Sequence, residues 1–195
     1  MRVLFFDTET SGLPLWGEPS SDPRQPHLCD IAIELRDDET GELIDEFEAI
    51  INPGVPISDE AAAIHGITTE IATEQGIPTE EALYRFLTMV DEADLIVGHN
   101  VDFDLRMIRV AMFRHRNEDW SAPVPSFCTM KATTGVCKIP KDKGRGWKWP
   151  KLTEAIRHFF DEELEDAHRA KPDMLACQRV YFHLRPLKAS DGEPA

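Results

Sequence analysis

The chain opens on an apolar run, Val3-Leu4-Phe5-Phe6, which reads as a short buried strand leading into Asp7. Over Cys29–Arg36 the pattern becomes an alternation. Ile31, Ile33 and Leu35 fall on one face and Ala32 and Glu34 on the other, which predicts a half-buried strand. Asp38-Glu39-Thr40-Gly41 is a turn signal and Leu43–Ile51 a third strand, so this part predicts an antiparallel meander ended by Asn52-Pro53-Gly54. The period then lengthens. Ala82, Leu83, Phe86, Leu87 and Val90 recur at helical spacing, with Thr79 as the expected N-cap and Glu80 and Glu81 suited to the positive helix end. Leu95-Ile96-Val97 reads as a buried strand ended by Gly98, followed by a helix with Phe103, Met107, Val110 and Ala111 on one face. Ser126–Met130 predicts a short strand. Leu152, Ile156, Phe159 and Phe160 mark a helix, and Met174 to Leu184 the last one, stopped by Arg185-Pro186. Two stretches, Ser11–His27 and Thr133–Pro150, carry no period, and connections of that length are usually functional or mobile.

Three strands, helices, a strand, a helix, a strand and further helices predict an α/β fold. Its mixed central sheet, an antiparallel meander plus parallel strands, is flanked by helices and is not doubly wound. No repeat or linker divides the chain, so the expectation is one domain over residues 1–185 with a flexible C-terminal tail, 186–195.

Composition narrows the class. The 195 residues are 42% hydrophobic and 29% charged, which excludes a collagen-like or disordered chain. No apolar run approaches the ~20 residues of a membrane span, and the acidic turn at Asp7 is not a secretory signal. Cys29, Cys128, Cys137 and Cys177 show no CxxC or zinc spacing, so free thiols and a cytoplasmic location are expected. The net charge of −15 argues against a general nucleic-acid coat. It is uneven, however. Residues 131 to 151 hold seven cations against Asp142, a net of +6, which leaves −21 elsewhere. That stretch reads either as a solvated loop or as a local site for an anion.

Three carboxylate clusters carry candidate chemistry. Asp7 and Glu9, two apart at a strand end, point to one face and can converge. Two buried like charges need a cation, and their hard oxygens favour Mg²⁺ or Mn²⁺. Taken alone, an Asp and a Glu at a strand end are more often simply solvated. Gly98-His99-Asn100-Val101-Asp102-Phe103-Asp104 joins a buried strand to a helix, where α/β proteins gather sites, although an acid there also suits the helix dipole and Asn100 or Asp102 a cap. In His168-Arg169-Ala170-Lys171-Pro172-Asp173, proline favours a first helical turn, which leaves His168 in the loop ahead and able to swing its imidazole towards Asp173. An imidazole near pKa 6.5 suits a general base. The seven histidines include no HxxxH pair, which argues against a zinc hydrolase.

Together, Asp-x-Glu, His-Asn-x-x-Phe-Asp and His-x4-Asp, in that order from about Val3 to Leu184, resemble the DEDDh (DnaQ-like) 3′→5′ exonucleases. The motifs look closest to the proofreading epsilon group of DNA polymerase III. Ile64-His65-Gly66-Ile67-Thr68 is similar to a segment many members carry. The resemblance implies a ribonuclease H-like fold, two divalent ions (Mg²⁺ or Mn²⁺) held by Asp7, Glu9, Asp104 and Asp173, and His168 as the base. Thr10, Leu13, His65, Asn100 and Phe103 would bind substrate, although Phe103 reads equally as a helix-face core residue. The implied reaction releases 5′-mononucleotides from a free 3′ end of single-stranded DNA, with RNA trimming as the alternative. A non-catalytic end-binding module is the alternative of another class. Association with a DNA polymerase or repair complex would suit the resemblance, but no polymerase-binding tail is legible after Leu184. Ser11 and Cys128-Thr129 depart from the common Thr and Asp-Thr. The basic segment is the part that the resemblance explains least. There Lys143, Arg145, Trp147, Lys148 and Trp149 read as a strand-guiding flap, or the tryptophans as a lid packed on the core.

Overall fold

A computed structural model describes residues 1–164 and 167–185; the expected tail, 186–195, lies outside the described residues. The first three strands, β1 (Arg2–Thr10), β2 (Leu28–Asp37) and β3 (Leu43–Asn52), pair as the predicted antiparallel meander. β4 (Ile77–Pro78), β5 (Leu95–Gly98) and β6 (Ser126–Cys128) complete a six-stranded sheet in the order β4-β3-β2-β1-β5-β6. The pairs β3–β4, β1–β5 and β5–β6 are parallel, so β2 alone runs against the rest.

Helices cover both faces. On one side Leu4 and Phe6 of β1 and Ile31, Ile33 and Leu35 of β2 pack under α3 (Thr79–Asp91) and α4 (Val101–Arg116). On the other, Val3, Phe5 and Ala32 meet Met174, Cys177 and Tyr181 of α7 (Ala170–Leu184). β2 is therefore not half-buried. Polar residues in and just after it are covered because α7 supplies partners: Gln178 donates to Glu34 at 2.8 Å and Tyr181 to Asp38, the residue after β2, at 2.9 Å. A buried polar group is tolerated only when paired in this way.

Other local expectations also shift. Thr79 is not the N-cap of α3; Pro78 holds that position, with no side-chain cap. The expected strand over Ser126–Met130 stops at Cys128, and α5 (Thr129–Cys137) takes over, with Thr129 fully buried. Residues 58–75 form two short helices, α1 (Asp59–His65) and α2 (Thr69–Gln75), each capped by a hydroxyl: Ser58 accepts from Ala61 N and Thr68 from Ile71 N. Gly66 closes α1 at φ 76°, a left-handed position where glycine carries no Cβ strain.

The two aperiodic stretches are ordered. In 11–27 the buried Gln25 donates to the carbonyls of Leu15 and Pro19, and Arg114 binds the carbonyls of Gln25 and Pro26 from α4. Beyond α5, Pro140 bridges Trp147 and Lys148 N donates to Ile139 O, making a small hairpin ahead of α6 (Leu152–Phe160). Among the described residues no helix is long and apolar enough to cross a membrane, and the four cysteines are free thiols.

Candidate active site

Alternation along β1 decides which side chains meet. Asp7 and Glu9 share the face of Val3 and Phe5, towards α7, whereas Thr8 faces α4. β1 overhangs β5, and a register shift between Glu9 and Thr10 ends its regular pairing with β2. The overhang leaves both carboxylates at the sheet's edge of exit, where the first turn of α7 arrives with Asp173. One carboxylate oxygen from each of Asp7, Glu9 and Asp173 lies within 4.8 Å of the others. Asp104, in the first turn of α4, is 3% exposed and sits outside that trio, drawn against Thr8. Its Oδ1 accepts from Thr8 Oγ1 at 2.7 Å and Thr8 N at 3.1 Å.

Without a cation this arrangement repels itself. Burial, followed by the charges of Asp104, Asp173 and Glu9, pushes Asp7 well above the usual carboxylate range. Glu9 is pushed up to about 8, by burial first and then by Asp173 and Asp104. Burial lifts Asp104 to about 7 despite the opposing bonds from Thr8, and raises Asp173 against the backbone bond from His168. Asp173 Oδ1 is buried with no hydrogen-bond partner. An acceptor-only oxygen set, one member unsatisfied, fits a hard divalent cation.

His168 lies in the loop before α7, in the left-handed region at φ 71°. Its contact with Asp173 is made by the backbone, not by the ring: His168 N donates to Oδ2 at 3.2 Å. Beside Glu9 opens a cavity of about 470 Å³ that includes Thr10, Leu13, Ile64, His65 and Phe103 in its wall. Leu13 is 82% and Ile64 58% exposed, an apolar pair flanking a charged site. Phe103 packs against the core as well as lining this cavity. His65 ends α1, and its Nδ1 accepts from Ile67 N at 3.1 Å, which puts the ring proton on Nε2, a buried atom with no partner. Asn100 does not line this cavity. It turns the chain between β5 and α4 in a left-handed conformation, φ 74°, without capping through its side chain.

His99, just after β5, acts as a bolt. Its ring nitrogens lie 2.9 Å from Thr129 Oγ1 and 3.0 Å from Pro150 O, tying the end of the basic segment to the end of β5. Burial depresses it to about 4. The tryptophans are not a lid on the core: Trp147 is 44% and Trp149 62% exposed. Lys143 and Arg145 are exposed on the hairpin, whereas Lys148 is engaged by Glu154 at its root. Sequence reading missed Asp30, which faces Glu9 across the β1–β2 ladder and binds Arg169 at 2.8 Å. The available signal was its polar side chain on the α7 face of β2. Ile64 becomes recognisable as an exposed wall only through α1, whose seven residues are too few for a helical period to stand out in the sequence.

The fold and the carboxylate cluster define a ribonuclease H-like α/β domain with a site suited to divalent cations. The chain belongs to the RNase T family of exonucleases (DnaQ-like), whose family model matches residues 4–181. It is similar to the PolC-type DNA polymerase III of Pediococcus pentosaceus, 30% identical over 131 residues, 66% of this chain and 8% of that protein. It also resembles the exonuclease CP81 of Escherichia phage 186, 27% identical over 178 residues, 87% of this chain and 81% of that one. The chain thus spans under a tenth of the length of the PolC-type polymerase. Among solved structures, E. coli exonuclease I in complex with a dT13 oligonucleotide superposes with a TM-score of 0.73 at 18% identity, covering 97% of this chain and 42% of that one.

Proposed function

We propose that this protein is a divalent-metal-dependent 3′→5′ exonuclease that removes 5′-mononucleotides from the 3′ end of single-stranded DNA. The observation that carries the reading is the convergence of Asp7, Glu9 and Asp173, with Asp104 buried beside them, on a fold shared with exonuclease I. Asp7, Glu9, Asp104 and Asp173 would hold two ions, Mg²⁺ or Mn²⁺. When bound, such ions neutralise charge on the phosphate oxygens and favour hydroxide over water.

The chain's own residues do the rest. His168, exposed in its loop, takes the proton of the attacking water. Leu13, Ile64 and Phe103 grip the terminal base through apolar contact, and His65 backs the same wall. Exposed Trp147 and Trp149 stack on unpaired bases upstream, while Lys143 and Arg145 meet the phosphates. The choice of DNA is supported by the oligonucleotide held by exonuclease I and by the polymerase relatives. A polymerase or repair complex is the corresponding partner class.

The test is digestion of 3′- and 5′-labelled DNA and RNA single strands in Mg²⁺, with EDTA and Asp173→Ala as controls. DNA shortened from its 3′ end, with both controls inactive, is expected. Preferred RNA shortening would turn the reading to RNA trimming, and binding without shortening to a non-catalytic end-binding module.

A further inference from the structure

Asp30 is a charged group that the mechanism above leaves unused. It stands directly opposite Glu9 in the β1–β2 register and is 1% exposed. Like charges opposite one another on a sheet face repel, and a buried carboxylate is unfavourable unless it is paired. Its Oδ2 accepts from Arg169 Nε at 2.8 Å and lies 3.4 Å from Ala170 N, while Oδ1 is buried without a partner.

Both donors belong to the two residues that follow His168. Arg169 is the N-cap position of α7 and Ala170 its first residue. His168 itself holds a left-handed backbone that L side chains resist, and such a conformation persists only where neighbours over-determine it. Here it is held from two sides. Its own N–H is on Asp173 Oδ2, and the next two residues are on Asp30. A third link exists in space: Arg169, His168 and His65 line one cavity of about 600 Å³ on the flank of the carboxylate cluster.

We propose that Asp30, acting through Arg169 and Ala170, is a positioning residue that fixes the His168 backbone so that the imidazole is presented to the reacting water. The proposal rests on the exonuclease reading for its catalytic consequence, but not for its structural one. A pair serving stability alone is commonly replaceable by apolar residues, and nothing would favour placing its carboxylate against a self-repelling cluster.

The test has two arms. In the metal-free protein, hydrogen exchange at the amides of His168 and Ala170, read by NMR, should speed up by ~10-fold or more in Asp30→Asn and in Arg169→Ala, as expected when a local hold is released. Arg169 is partly exposed, so Arg169→Ala carries the test if the buried Asp30→Asn fails to fold. In Mg²⁺, kcat on 3′-labelled single-stranded DNA should fall ~10- to 100-fold with KM within about 3-fold, and Arg169→Lys should recover part of the loss. In a His168→Ala background, adding Arg169→Ala should change the rate by less than about 2-fold, because a residue acting through His168 has nothing left to position. Unchanged amide exchange, an unaffected kcat, or an equal loss in both backgrounds would overturn the proposal. If the wild type shortens no strand at all, the exonuclease reading fails, while the exchange arm still decides whether Asp30 holds His168.

Discussion

Glu9→Gln should make the metal-free protein more stable while destroying the cation site. In the folded chain the Glu9 carboxyl is lifted from 4.5 to about 8. A group whose acid form is favoured by folding binds more protons folded than unfolded between those values, so stability falls as pH rises from about 4.5 and levels off above about 8. At 1.36 kcal/mol per tenfold change, the gap corresponds to roughly 5 kcal/mol once Glu9 is forced to ionise. Glu9 is partly solvated, and solvent screening reduces the net gain to about 2–4 kcal/mol. For a chain of this length that is a rise in Tm of roughly 5–10 °C. The assay is thermal unfolding in EDTA at pH 8 and pH 5, repeated with Mg²⁺ or Mn²⁺. At pH 8 the variant should melt higher than the wild type, and at pH 5, where Glu9 keeps its proton, the two should nearly coincide. Divalent ions should raise the wild-type Tm more at pH 8 than at pH 5, and the variant's by much less. A variant that melts lower at pH 8, or that keeps the full metal-induced rise, would refute the reasoning.

Three further outcomes follow from named contacts. His168→Ala should lower kcat by ~10²–10⁴ while leaving the metal-induced Tm rise in place; loss of that rise would make the histidine a ligand. Trp147→Ala with Trp149→Ala should raise KM for single-stranded DNA about 10-fold or more without changing Tm by more than a few degrees, and Lys143→Glu should weaken binding most at low salt; gel-shift titrations at two salt concentrations check both. His99→Ala removes both ring contacts between Thr129 and Pro150 and should cost about 1–3 kcal/mol. Proteolysis between residues 138 and 150 should speed up in that variant. Because burial holds His99 near 4, its share of stability is present above about 6.5 and is lost as pH falls towards 4.

Much of this was legible in the chain itself, and the misses have physical reasons. The apolar run of β1, the two-residue period that puts Ile31, Ile33 and Leu35 on one face of β2, and the helical faces containing Phe86 and Met107 are signals that survive into the fold. Asp7 and Glu9 share a face because a strand has period two, and Asp173 joins them from the first turn of α7, which also holds Pro172. What sequence could not give is what lies across the sheet. The burial of Glu34 depends on Gln178, 144 residues away, and that of Asp30 on Arg169. α1 and α2 span only seven residues each, too short for a helical period to stand out, so their Ser58 and Thr68 caps were the usable signal. The basic hairpin lacks any period because it is held by Pro140, Trp147 and the distant His99.

The central claim is that Asp7, Glu9, Asp104 and Asp173 together hold a pair of divalent cations. Its most direct test is a crystal of the protein soaked in Mn²⁺, with the anomalous difference map read at the manganese edge. The account predicts two peaks about 3.5–4 Å apart, both within ligand distance of Asp7, and none in crystals of Asp7→Asn. An empty cluster, or manganese bound only elsewhere on the acidic surface, would contradict it.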